Sequence, residues 1–346
     1  MEKQELRIIY MGTPEFAVES LKRLVEGGYN VVGALTMPDK PAGRGQKVQH
    51  SPIKQYAVEQ GLTLLQPTNL KDPEFQTELK ALKADLQIVV AFRMLPEAVW
   101  NMPRFGTFNL HASLLPQYRG AAPINWAVIN GDQETGITTF FLEHGMDTGK
   151  VIQQVHVPIH ETDNVGDVHD RLMVRGGELV LETVDAILAG NLKPIAQSEM
   201  QGAENPRLAP KIFKETCLIN WAQSTQQVYN FVRGLSPYPA ARTTLTSAKG
   251  EEVEVKIYKT RKVGKEKSYY IGNYNTDFCN LLDTFFAENY CSLQNGKVVS
   301  NGKNFLAFVT TDGLLEIVEL QQAGKKRMST VDFLRGFHLA EKDLNL

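Results

Sequence analysis

The pattern of apolar and polar positions divides the chain into two textures. Residues 6–11 form a short apolar run ending at Gly12, followed by Thr13-Pro14-Glu15 and a stretch of helical period over residues 16–24. This predicts a strand, a turn and a helix, with Thr13 as the cap and Pro14 in the first helical turn. Residues 31–36 read as the next strand and residues 51–60 as a helix. Residues 85–92 read as a strand apolar enough to be buried on both faces. Strands alternating with helices predict an α/β fold with a doubly wound, Rossmann-like parallel sheet. Ligands of such sheets bind beyond the carboxyl ends of the strands, so the loops after Met11, Thr36, Phe92 and Leu110 are where chemistry is sought.

Beyond Ile212 the period changes. Residues 253–258 alternate strictly, and residues 305–309 and 314–318 are short strands separated by Asp312-Gly313. Period-two strands at close spacing predict a smaller C-terminal β-barrel, resembling an oligonucleotide-binding (OB) fold. The expected organisation is a catalytic domain over residues 1–205, a linker over 206–210 and a second domain over 211–346.

Composition sharpens this division. The net charge of −2 conceals 18 Lys+Arg against 25 Asp+Glu in residues 1–205 and 19 against 14 in residues 206–346. A basic second domain joined to an acidic first one fits a polyanionic partner such as nucleic acid, and equally fits a charge imbalance without a partner. No run approaches the roughly 20 apolar residues of a transmembrane helix. The start of the chain is charged, and the three cysteines, at 217, 279 and 291, form no Cys-x-x-Cys pair. We expect a monomer in a reducing cytoplasm, with no membrane partner.

The densest candidate chemistry is Asn109-Leu110-His111-Ala112-Ser113-Leu114-Leu115-Pro116. On a strand, the period of two puts Asn109 and His111 on one side near the carboxyl end. An amide and an imidazole placed so can hydrogen-bond the oxyanion of a carbonyl that becomes tetrahedral, although a hydrogen-bonded core pair fits the same pattern. Glu143-His144-Gly145-Met146-Asp147-Thr148-Gly149 holds a carboxylate between two glycines. Asp147 can support a charged His111 and relay a proton, or simply cap local backbone groups. Gly12-Thr13-Pro14 lacks the Gly-x-Gly-x-x-Gly pattern of a nicotinamide cofactor, and Ser113 lacks a nucleophile elbow. The histidines and cysteines show no metal-ligand spacing, so no metal is expected.

Taken together these segments resemble the methionyl-tRNA formyltransferase family, over nearly the whole chain. Residues 11–17 look like that family's start, residues 109–116 match its formyltransferase segment, and Asp147 stands where its catalytic aspartate stands. The resemblance implies a catalytic trio of Asn109, His111 and Asp147 and 10-formyltetrahydrofolate as co-substrate. It also implies a folate pocket lined by Ala91, Phe92, Met94, Leu95, Ser113, Leu114, Leu115, Pro116 and Gly145, and methionyl-initiator tRNA as acceptor. Formyltransferases acting on small amines or amino sugars share the core, so the acceptor is read from two other segments. The basic loop of residues 38–47, with Lys40, Arg44 and Lys47, is similar to the loop with which this family enters the acceptor stem. Residues 320–329, with Lys325, Lys326 and Arg327, look like its C-terminal signature; such cations suit backbone phosphates. Residues 262–304 are longer than the family leads one to expect and are assigned no role.

Overall fold

Two compact units make up the chain, the first comprising Met1–Ile124, Glu134–Ile159 and Asp167–Pro210 and the second Asn125–Gln133, His160–Gly166 and Lys211–Leu346. The computed structural model describes residues 1–42, 47–264, 274, 276–288 and 290–340.

In chain order the first part forms β1 (Arg7–Gly12), α1 (Val18–Glu26), β2 (Asn30–Leu35), the hairpin β3 (Lys40–Ala42) and β4 (Lys47–Gln49), α2 (Pro52–Glu59) and β5 (Leu64–Leu65). It continues with α3 (Pro73–Ala81), β6 (Leu86–Val90), α4 (Glu97–Trp100), β7 (Thr107–His111), β8 (Arg119–Gly120) and α5 (Pro123–Ile129). Then come β9 (Glu134–Phe141), β10 (Val151–Pro158), α6 (Val165–Ala189) and β11 (Leu208–Ala209). Seven of these strands form one sheet in the order β10-β9-β7-β6-β1-β2-β5. Every residue of β6 is buried, as its continuous apolar run predicts for a strand covered on both faces.

The sheet is parallel from β5 to β7, whereas β9 pairs antiparallel with both β7 and β10. An apolar-run reading passes over β9 because Thr135, Thr138 and Thr139 sit buried in it. Thr138 and Thr139 satisfy their hydroxyls inside: Thr138 donates to the carbonyl of Ser113 at 2.7 Å, and Thr139 meets the Thr183 hydroxyl at 2.9 Å. Thr13 does not cap the first helix. A single 3₁₀ turn at Glu15–Ala17 intervenes, so α1 begins out of reach and the Thr13 hydroxyl is buried without a protein partner among the described residues. Ser51 does cap α2, accepting from Lys54 N at 3.0 Å.

The second unit contains α7 (Thr225–Leu235), β12 (Ala241–Thr246), β13 (Glu252–Val263), α8 (Thr276–Glu288), β14 (Val298–Ser300), β15 (Leu306–Val309), β16 (Leu314–Gln322), β17 (Met328–Ser329) and α9 (Thr330–Gly336). Its antiparallel sheet runs β12-β13-β16-β15-β14, with β17 added against β16. It is a half-barrel, since its end strands β12 and β14 do not pair with each other among the described residues. Alternation along β15 sends Leu306 and Phe308 to one core with Val228 and Val232 of α7, and Ala307 and Val309 to another with Leu282 and Phe285 of α8. The helix inside residues 262–304 therefore covers a second face of the sheet. Two short excursions join this unit for a reason no local pattern carries. The buried Arg233 donates to the carbonyls of Asp163 at 2.9 Å and His160 at 3.3 Å, and the Asn125 amide donates to Gly234 O at 2.8 Å.

On the face that α8 covers, the buried Glu316 carboxylate accepts from the Tyr274 hydroxyl and lies 3.2 Å from Nη1 of Arg261. Burial outweighs the pull of both partners and raises the Glu316 carboxyl above its ordinary range. A carboxyl raised in the folded state stabilises fully below its unfolded pKa, and that contribution is lost as pH rises through the folded value. We expect Glu316→Gln to flatten the fall in urea midpoint as pH rises above the ordinary carboxylate range. Arg261→Met, which strands the carboxylate, should steepen it; identical pH profiles for wild type and Glu316→Gln would refute the assignment.

Candidate active site

The sheet places the site at the carboxyl ends of β6 and β7. There a cavity of about 490 Å³ opens, within the range of roughly 300–1,000 Å³ typical of small-molecule pockets. Its apolar walls include Val89, Phe92, Leu95, Trp100 and Leu142, and its polar lining includes Glu97, Asn109, His144 and Asp147. Asn109 is half-buried on β7, and its amide makes no side-chain hydrogen bond among the described residues. An unpartnered amide facing a cavity is an available donor and acceptor.

His111 stands two residues on but outside the cavity lining, with 7% of its surface exposed. Its Nε2 lies 2.9 Å from the carbonyl oxygen of Tyr118. A carbonyl only accepts, so Nε2 donates that bond and Nδ1 is left to meet other groups. Nδ1 faces Oδ2 of Asp147 at 3.9 Å. That gap exceeds a hydrogen bond. The same Oδ2 accepts the Gly120 N–H at 2.9 Å. Asn109 and Asp147 thus line the cavity directly, and His111 lies next to it through Asp147.

Asp147 has φ 54°, a left-handed conformation that residues with a Cβ adopt at a cost of about 1–2 kcal/mol. It is held there by its surroundings. Gly149 is so close to β9 that a Cβ would lie 1.7 Å from Phe141 O, and Gly120, at φ 128°, would place one 2.4 Å from Ala209 O. Gln197, which no motif singles out, donates from Nε2 to the carbonyls of both Asp147 and Gly149 at 2.8 Å.

Of the residues expected to hold folate, Phe92, Met94, Leu95 and Gly145 line the cavity; Ala91 is exposed beside it with φ 48°. Residues 113–116 are not in that lining. Ser113 is fully buried and donates to Gln117 O at 2.6 Å, while Leu114 fills the space over Gly136. Leu115 packs with Phe140 and Val151, and Pro116 is buried. Sequence reading also missed the cavity residues Glu97 and Trp100. The His144 ring lies edge-on to Trp100 at 5.5 Å, with Nε2 3.5 Å from Glu97; the signal available was only an acidic-aromatic pair one helical turn apart on α4.

The basic hairpin is held at its neck. Asp39 accepts from Lys54 of α2, from Gln66 Nε2 at 3.1 Å and from His50 Nδ1 at 3.1 Å, joining the residue before β3 to the one after β4. Lys54 and Gln66 hold the Asp39 carboxyl well below the usual carboxylate range, so it stays ionised. Lys40 is exposed; Arg44 lies outside the described residues, and of Lys47 only the backbone strand is described. At the other basic segment Lys325 and Lys326 are exposed. Arg327 is engaged, donating to Glu319 and stacking 4.5 Å over the Tyr258 ring.

Residues 6–184 match the family described as formyl transferase, and residues 211–338 match its C-terminal domain. A methionyl-tRNA formyltransferase of Bacteroides fragilis is 61% identical over 341 residues, covering 99% of this chain and 98% of that protein. The chain belongs to the methionyl-tRNA formyltransferase family. The relative from Bacteroides thetaiotaomicron is 60% identical over 99% of this chain and 98% of its own length. Family members are transferases, and the fold agrees with this membership. The HypX protein of Aquifex aeolicus, solved in complex with tetrahydrofolic acid, superposes with a TM-score of 0.57 at 17% identity. The match covers 95% of this chain and 47% of HypX, a likeness of fold. Among the described residues no helix is long and apolar enough to cross a membrane, and no group of three or more His, Cys, Asp or Glu is placed to hold a metal ion.

Proposed function

We propose that this protein transfers the formyl group of 10-formyltetrahydrofolate to the α-amine of methionyl-initiator tRNA, for initiation of translation. The observation that carries the chemistry is the juxtaposition of the unpartnered Asn109 amide and the Asp147 carboxylate in one cavity, with His111 beside Asp147. The choice of acceptor rests on near-full-length identity to methionyl-tRNA formyltransferases.

The cavity suits a folate. Phe92, Leu95, Trp100 and Leu142 offer apolar walls to a flat ring, and a few polar groups converge beside them. The amine of methionyl-tRNA attacks the formyl carbon while Asn109 donates to the oxygen as it gains negative charge. Asp147, backed by Nδ1 of His111, takes the proton that the amine sheds, and the departing folate nitrogen regains a proton. Holding both reactants near attack distance supplies much of the rate. Residues 1–205 carry this chemistry and residues 211–346 contact tRNA. The intervening 206–210 segment serves as the link and contributes β11, which pairs with β8 beside Gly120.

Lys40, Arg44, Lys47, Lys325 and Lys326 supply phosphate contacts in this reading. Asp39→Asn is then expected to raise KM for methionyl-tRNA by roughly tenfold while leaving folate affinity unchanged, since about 1 Å of misplacement costs up to ~10²-fold. Steady-state kinetics with varied tRNA checks this, and an unchanged KM would detach the neck from tRNA use. The overall reading is tested by formyl transfer from 10-formyltetrahydrofolate to methionyl-initiator tRNA, run beside methionyl-elongator tRNA, free methionine and an amino sugar. Formylation of the initiator species alone is expected. Transfer only to the small amines would keep the catalytic core and overturn the acceptor.

A further inference from the structure

Gln197 is not in the lining of the cavity described above, yet its amide makes four hydrogen bonds beside Asp147. It is 3% exposed at the start of a one-turn helix, Gln197–Glu199. Its Oε1 accepts from Nε of Arg119 at 2.9 Å and from Nη2 at 2.6 Å. A guanidinium can only donate, so Arg119 decides which end of the amide is oxygen and turns the NH₂ toward residues 147–149. Both carbonyls that the NH₂ meets belong to a turn in which Asp147 is left-handed and Gly149 closely approaches β9. Arg119 is followed directly by Gly120, whose N–H holds the Asp147 carboxylate. One dipeptide therefore fixes the Asp147 side chain directly and its backbone through Gln197.

We infer that Gln197, oriented by Arg119, is a positioning residue that holds Asp147 in the left-handed conformation from which its carboxylate faces His111. This rests on the reading of Asp147 as the proton-handling carboxylate. A left-handed residue persists where its surroundings over-determine it, and a buried amide with every bond satisfied is a stiff constraint.

Gln197→Glu tests this with little change of shape. Glutamate keeps Arg119 as a partner but has no N–H for the two carbonyls. We expect kcat to fall by roughly 10–100-fold with KM for folate and for tRNA within about twofold, the signature of a reacting group moved by up to an ångström. The deciding readout is a double-mutant cycle with Asp147→Asn. If Gln197 acts through Asp147, Gln197→Glu costs little further once Asp147 is Asn. An equal loss in both backgrounds, or a full kcat in the single variant, overturns the inference. Should Gln197→Glu fail to fold, Arg119→Met, which frees the amide to flip, enters the same cycle with the same criteria; Arg119→Lys should rescue part of the loss. A fast Asp147→Asn enzyme would instead defeat the reading of Asp147 itself, so the two failures are distinguishable.

Discussion

Asp147→Asn is expected to cut turnover by roughly 10²–10⁴-fold with the fold intact, the range of a general acid–base group. The amide keeps an oxygen that can accept the Gly120 N–H, now 2.9 Å from Oδ2, so the turn keeps its anchor. What it loses is the negative charge and the ability to take a proton. His111→Ala should fall in the same range for a related reason. Nε2 of His111 is occupied by Tyr118 O, so the ring acts on the reaction through Nδ1, which faces Asp147. The two substitutions should accordingly be far from additive: a double variant little slower than either single one marks groups acting as a unit. Single-turnover formylation with saturating tRNA measures this, and near-wild-type turnover in either purified variant would remove these residues from the chemistry.

Gly149→Ala is the second large effect, and here geometry rather than chemistry is removed. The added methyl would lie 1.7 Å from Phe141 O, a backbone atom of β9, and cannot be accommodated by a side-chain rotation. The turn must move by more than an ångström, carrying with it the carbonyls that Gln197 holds and the Asp147 carboxylate. A loss in kcat of about 10²-fold or more is expected, since misplacement of roughly 1 Å costs that much. The melting temperature should fall as well, because overpacking commonly costs 1–3 kcal/mol. Wild-type kcat in a folded Gly149→Ala protein would show that the turn is not the rigid support described above.

The sequence by itself determined the fold class and the family. Periodicity was enough for β1, β2, β6 and the alternating β13, because each buries apolar side chains in a regular pattern that needs only neighbouring residues to be read. Sequence resemblance picked out Asn109, His111 and Asp147, of which Asn109 and Asp147 line one cavity and His111 lies next to Asp147. Tertiary structure alone decided how those groups are aimed. Ser113 and Leu115 fall in the recognised segment yet are turned into the interior, where Gln117 O, Phe140 and Val151 receive them. Nε2 of His111 is taken up by Tyr118 O, a contact set by the fold. The threonine-rich β9 stayed hidden because its polar residues are satisfied by partners as distant in sequence as Ser113 and Thr183. Gln197 meets Asp147 across fifty positions, and Arg233 holds residues 160–163 across seventy. A hydrogen bond between distant segments leaves no period or spacing in the chain. Its energy depends on distances of about 3 Å that only folding creates, so these determinants become legible only once the backbone is closed.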